Sequence, residues 1–217
     1  MLVISNPSAD QPGGALSVLP VAQDPLKRAL DIVVAGGALL FFAPLLALVA
    51  ILIKLESRGP VLFRQARGGL NGQAFTIFKF RSMRVQENGD KVVQAKRDDD
   101  RITTLGRILR KTSIDELPQL LNVLKGDMSI VGPRPHALAH DDQYGPLIAN
   151  YHLRFRARPG LTGLAQIKGL RGGTSAVEAM AARVDADNDY IDDWSIWSDV
   201  RILALTLPHL LLAENAY

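Results

Sequence analysis

Twenty-two consecutive residues without a charge, 32–53 (IVVAGGALLFFAPLLALVAILI), set the first limit on what this chain can fold into. At about 1.5 Å per residue, a helix of that length reaches about 33 Å, against a hydrocarbon core of about 30 Å. A core helix of a soluble domain would show a polar face over such a distance, and this one shows none. The run is therefore expected in a membrane. Two details oppose a simple span. Pro44 removes a backbone donor at the centre and is expected to bend the helix. Both flanks are also charged, with Lys27, Arg28 and Asp31 before and Lys54, Glu56 and Arg58 after. Basic residues at both ends suit a helical hairpin returning to one leaflet. Hydropathy alone leaves hairpin and span open, since a tail without lysine would also fit the outer side.

Composition narrows the rest. A chain of 217 residues is one domain with a real core and room for a short appendage. It is 47% hydrophobic and 22% charged, which excludes wholesale disorder. Its mean hydropathy of +0.09 is high for a soluble protein and low for a many-pass membrane protein. There is no cysteine, so disulfides, thiolate metal sites and thiol nucleophiles are excluded. The formal charge is +3, and all 25 Lys and Arg lie beyond residue 26. That bias favours an anionic partner, whether phospholipid, nucleotide or nucleic acid. Residues 1–25, rich in Pro, Gly and Ser, read as a flexible lead-in and lack the basic start of a secretory signal.

Beyond Gly59 the pattern changes. Residues 60–65 and 74–83 read as short strands, with Gly68-Gly69 and Asn71-Gly72 marking a hairpin turn between them. Residues 86–101 form a charged loop. Helical periodicity resumes near Leu105 and again over 116–124, where Gly126 is the stop. MSIVGPRP is a short strand closed by prolines, 174–193 is helical, and 200–212 is an amphipathic end segment broken by Pro208. No P-loop, G-x-G-x-x-G, H-E-x-x-H or G-x-S-x-G is present. His136 and His140 are four apart but have no third ligand nearby in sequence.

The stretch RILRKTSIDELPQLLNVLKGDMSIVGPRP carries the chemistry. Asp115 and Glu116 open a helix just after Arg107, Arg110 and Lys111. One reading is ordinary: Ser113-x-x-Glu116 is a capping box, acids belong in a first turn, and Pro118 marks a helix start. The other is functional. Helix amides and three cations keep a carboxylate ionised and attract phosphate, which invites Mg²⁺ bridging or direct attack on phosphorus.

Three blocks, KFRSM (79–83), DELPQLLNVLKGDMSIVGPRP (115–135) and RPGLTGLAQIKG (158–169), together resemble the bacterial sugar transferases, the monotopic phosphoglycosyl transferases acting on polyprenyl phosphate. The likeness runs from about Leu26 to Leu212. It implies an α/β fold, mostly helical with a short β hairpin, on a re-entrant membrane helix and amphipathic interfacial helices. The division it implies is 1–25 lead-in, 26–58 membrane hairpin and 59–217 cytoplasmic catalytic core at the bacterial inner membrane. The implied reaction moves a hexose-1-phosphate from a UDP-sugar to polyprenyl phosphate, releases UMP and starts exopolysaccharide assembly.

Carried over by residue, the resemblance makes Asp115 the nucleophile that forms a covalent phosphosugar intermediate and a ligand of the cofactor Mg²⁺. Glu116 is its acidic partner, and Lys79, Arg110 and Arg134 are cations around the phosphate, which Mg²⁺ and such side chains stabilise. Taken singly, each of the three cations reads as a solvated surface charge. Arg154, Arg156 and Arg158 alternate, so on a strand they would share one face. Arg158 is the one taken as a phosphate contact, and a plain solvated edge is the competing reading. Trp194 and Trp197 suit a membrane interface or a core contact. Ala43-Pro44 departs from the Ser-Pro frequent at the family's helix bend, leaving Pro44 to bend the helix alone. The expected partners are UDP-sugar, polyprenyl phosphate and phospholipid headgroups, with self-association allowed. Nucleic acid is set aside because aromatic and basic residues are not interleaved. The rival reading is a non-catalytic membrane scaffold of a polysaccharide assembly complex, which would have no need for Asp115–Glu116.

Overall fold

The computed structural model describes residues 20–84, 99–170 and 176–212. The expected loop 86–101 and lead-in 1–25 fall largely outside these residues. The lead-in reading ends early, however: Pro20–Gln23 is a helical turn (α1) that buries Val21 and Ala22.

Helix α2, Pro25–Glu56, contains the whole apolar run. Asp24 caps it by accepting from the Lys27 amide at 2.9 Å, and Pro25 stands where no intrahelical donor is needed. It is described as one helix with Pro44 inside, rather than as two helices of a hairpin. It is long and apolar enough to cross a membrane, and little of its apolar stretch is buried against protein. Leu40 and Phe41, at 80% and 77% exposed, and Pro44 beside them touch no core. Such a surface is stable in lipid rather than water. The protein is therefore mostly helical with one long apolar helix, as a monotopic membrane protein requires.

Both ends of α2 are seated on the same body, and here the structure corrects the reading of its basic flanks. Lys27 is buried, not among headgroups. Its ammonium lies 2.7 Å from Asp199 and donates to the Val131 carbonyl at 2.8 Å. Asp31 is buried too, accepting from the Ser129 hydroxyl at 2.8 Å and the Ile130 amide at 2.9 Å. Arg28 donates to the Val123 and Leu124 carbonyls, satisfying the last turn of a neighbouring helix. At the other end Val49 and Ile53 pack with Phe80 and Leu109. There the buried Arg81 donates to the carbonyls of Ser57 and Arg58, both at 2.7 Å.

Strands β1, Leu62–Gly68, and β2, Ala74–Phe80, form the expected antiparallel hairpin, in register from Leu62↔Phe80 to Gly68↔Ala74. Asn71 and Gly72 supply the positive φ of its turn, at 55° and 73°. After α3, Thr104–Lys111, and α4, Gln119–Lys125, a second, parallel pair joins β3, Ser129–Val131, to β4, Gly160–Thr162. Gly160 serves close approach here: a Cβ on it would overlap the Gly132 nitrogen. Helix α5, Leu138–Tyr144, and α6, Leu164–Ile167, frame α7, Val177–Asp192, which buries Met180, Val184, Asp187 and Ile191 at helical spacing. Helix α8, Ile196–Leu212, runs on through position 208 rather than breaking there.

The alternating arginines do not form a strand. Tyr151–Arg156 is a 3₁₀ segment, so Arg154, Arg156 and Arg158 part company. Arg154 is buried against Asp187, Arg156 pairs with Asp192 at 2.8 Å, and Arg158 donates to the carbonyls of Gly126 and Ala22.

Candidate active site

Asp115 and Glu116 lie in a 3₁₀ turn, Ile114–Glu116, that precedes α4. The expected capping box does not form. Ser113 takes a left-handed backbone at φ 57°, its side chain caps nothing, and only its carbonyl receives the Glu116 amide at 3.1 Å. The effect of this tight corner is to bury both carboxyl groups and leave neither bound to its own helix end.

Two elements converge on Glu116. From β2, Lys79 reaches its Oε1 at 2.9 Å. From the loop after β3, Arg134 forks onto it with Nη2–Oε1 at 2.6 Å and Nη1–Oε2 at 3.3 Å. Burial alone would push the Glu116 pKa up. The Arg134 and Lys79 charges and their hydrogen bonds outweigh it and hold the pKa well below the usual carboxylate range. Arg134 is in turn held above its ordinary value, chiefly by Glu116. Lys79 is lowered by burial and by Arg134, with Glu116 opposing.

Asp115 stands differently. It makes no hydrogen bond or ion pair among the described residues. Burial, then the charge of Glu116, push its carboxyl up to about 6, against Lys79, Arg110 and Arg134. The pair thus splits into one carboxylate neutralised by cations and one left open. Arg110, on the last turn of α3, contributes to that field while its guanidinium rests 3.9 Å from the Met83 sulfur.

The structure brings together four of the five candidates around Asp115: Glu116, Lys79, Arg110 and Arg134. Arg158 is not among them, being committed to carbonyls at α4 and α1. Pro44 lies on the exposed part of α2. His136 is buried with its Nδ1 2.8 Å from the Tyr151 hydroxyl, and burial and Arg154 push its pKa well below the usual value. Trp197 is 77% exposed, while Trp194 packs on the core.

Sequence reasoning missed Arg67. This residue donates from β1 to the Pro135 carbonyl at 3.3 Å, and burial and the Arg134 charge lower its pKa to about 10. The hairpin register contained the signal. Phe63, across from Lys79, has the same parity as Arg67, so both cations fall on one face.

A divalent ion could take a hard oxygen from Asp115. No three acidic or imidazole groups converge among the described residues. An ion bound there would draw its other oxygens from substrate phosphate and water, which is how Mg²⁺ is commonly held, so the residues fit it.

An open carboxylate in a cage of cations is the equipment of an enzyme that works on phosphate esters. Residues 22–213 match the bacterial sugar transferase family, and the chain belongs to this family of sugar-phosphate transferases. It is 60% identical over 207 residues to a UDP-glucose:undecaprenyl-phosphate glucose-1-phosphate transferase of Caulobacter vibrioides, covering 95% of this chain and 77% of that one. It is 53% identical over 192 residues to the transferase of the same name in Escherichia coli K12, covering 88% of this chain. Of that longer relative it spans 41%. The exopolysaccharide production protein PSS of Rhizobium leguminosarum bv. phaseoli is 51% identical over 182 residues, covering 82% of this chain and 91% of that protein.

Proposed function

We propose that the chain transfers a hexose-1-phosphate from a UDP-hexose to undecaprenyl phosphate, releases UMP, and so starts a surface polysaccharide. Glucose is the first sugar to test, because relatives at 60% and 53% identity carry it in their names. The observation that carries the reading is the split of the acidic pair: Glu116 held by Lys79 and Arg134, and Asp115 buried beside them with no hydrogen bond or ion pair of its own among the described residues.

The Asp115 carboxylate oxygen attacks the phosphorus that bears the sugar. That bond forms as the bridging P–O bond breaks, and UMP leaves with the bridging oxygen. The phosphate of undecaprenyl phosphate then attacks the same phosphorus and frees the Asp115 carboxylate. Lys79, Arg110 and Arg134 oppose the negative charge gathered on the transferring group. Arg134 and Lys79 also keep Glu116 ionised, so that it takes no proton from the site. Bound Mg²⁺ on Asp115 would supply charge neutralisation for the phosphate oxygens. Detergent-solubilised protein with UDP-glucose and undecaprenyl phosphate should release UMP, and EDTA should cut the rate by about 100-fold or more until Mg²⁺ is restored. Absence of UMP with every UDP-hexose tried would sink the reading.

The membrane seating proposed is re-entrant, with the core on the cytoplasmic face of the inner membrane. Supporting it, both ends of α2 pack on the same body, through Lys27 and Asp31 at one end and Val49 and Ile53 at the other. Withdrawing the first end would expose the Lys27–Asp199 pair and the Asp31 hydrogen bonds. With no native cysteine, thiols introduced as Ser8→Cys, which lies outside the described residues, and Asn71→Cys, at the exposed hairpin turn, test this. An impermeant reagent should label neither in intact cells and both after lysis. Labelling of position 8 alone from outside would establish a span.

A further inference from the structure

The loop that carries Arg134 cannot be held as a strand. Pro133 and Pro135 have no amide hydrogen, so two of its three residues cannot donate to a ladder. Its carbonyls are held one by one instead. Pro133 accepts from the Gly160 amide at 2.8 Å, and Pro135 accepts from Arg67 at 3.3 Å. The carbonyl of Arg134 itself accepts from Nη2 of Arg154, a side chain from the 3₁₀ segment Tyr151–Arg156. The same guanidinium donates through Nη1 to the His136 ring, two residues further along. Arg154 therefore grips the loop on both sides of Pro135.

Arg154 is itself fixed. It is 3% exposed, its Nη2 lies 2.7 Å from Asp187 of α7, and Asp187 is 1% exposed. Neither residue touches the acidic pair. A buried ion pair is weak evidence for stability on its own account, because desolvation offsets much of the attraction. What fixes a position is that one buried guanidinium serves three groups at once, the Arg134 carbonyl, the His136 ring and Asp187. We propose that Arg154, locked by Asp187, is the positioning residue that sets the Arg134 backbone so that its guanidinium forks onto Glu116. This rests on the transferase reading above for its effect on rate, but not for its structural content.

Two variants test it, Arg154→Lys and Asp187→Asn. A lysine ammonium cannot serve the Arg134 carbonyl, His136 and Asp187 together. Misplacing a site group by about 1 Å costs on the order of 100-fold in rate, so each variant should lower kcat by about 10- to 100-fold. Arg134→Met is the second arm of a double-mutant cycle. In that background Asp187→Asn should cost less than about twofold, since the residue it positions has gone. Equal losses in both backgrounds would mean general structural support and would overturn the proposal.

Amide hydrogen exchange, followed by peptide mass spectrometry, needs no activity. Exchange across residues 132–137 should rise by about tenfold in Arg154→Lys, while β1, β2 and α3 keep their protection. Unchanged exchange there would also overturn it. If Arg154→Lys exchanges throughout, Asp187→Asn, which leaves the guanidinium in place, decides the question by the same two outcomes. Should the native protein release no UMP, the transferase reading fails, and the exchange measurement still stands or falls alone.

Discussion

Asp115→Asn should stop UMP release, with a loss of at least about a thousandfold, and should not lower the melting temperature. On the proposed mechanism this change removes the covalent nucleophile, and no neighbour replaces it. Glu116 is one residue away but is engaged by Lys79 at 2.9 Å and Arg134 at 2.6 Å, so it is not free to attack. Stability should survive because Asp115 contributes no hydrogen bond or ion pair among the described residues. Asn keeps its shape while removing a buried negative charge from beside Glu116. Enzyme assay and thermal unfolding of the same preparation check both halves. A variant that keeps its full rate would exclude covalent catalysis at this position. One that unfolds would mean that the carboxylate supports the turn.

The second large effect is on folding. Asp199→Ala should destabilise the protein by about 3–5 kcal/mol, the usual cost of leaving a buried charge unpaired. Asp199 is fully buried, 2.7 Å from the Lys27 ammonium, and also accepts the Tyr190 hydroxyl at 2.7 Å. Without it Lys27 keeps the Val131 carbonyl but no close counter-ion except Asp31, 3.9 Å away and already bound to Ser129 and Ile130. Removing both charges, as Lys27→Met with Asp199→Leu, should recover much of the loss, since apolar replacement of a buried pair is often neutral. Denaturant titration in detergent measures both. A loss under about 1 kcal/mol for Asp199→Ala would show that water reaches Lys27.

What could be read in the sequence divides along a physical line. The apolar run, the hairpin and the β3 strand follow from local patterns: absence of charge, period two, Asn71-Gly72. The structure describes β1 and β2 at nearly the expected residues. The grouping of Lys79, Glu116 and Arg134 came from family resemblance, because no local pattern places residues from a strand, a turn and a distant loop side by side. The misreadings share one cause: a charge was assigned to water, headgroup or ligand before its neighbours were known. Lys27 and Asp31 read in sequence as a membrane flank, whereas partners from β3 and α8 bury them. Ser113-x-x-Glu116 fits a capping box by spacing, but the box needs Ser113 in an extended backbone, and here its φ is positive. The arginine alternation suggested a strand where a 3₁₀ turn runs into Pro159. Arg67 was readable only once the strand register was fixed.

The docking of α2 also bears on the order in which the molecule is made. The apolar helix is translated well before the groups that neutralise its first turn. The Val131 carbonyl lies more than a hundred residues downstream of Lys27, and Asp199 lies later still, on α8. Until those segments are made, Lys27 and Asp31 lack the partners that bury them and are expected to stay hydrated. A helix translated much later, α8, thus holds the first turn of α2 in place.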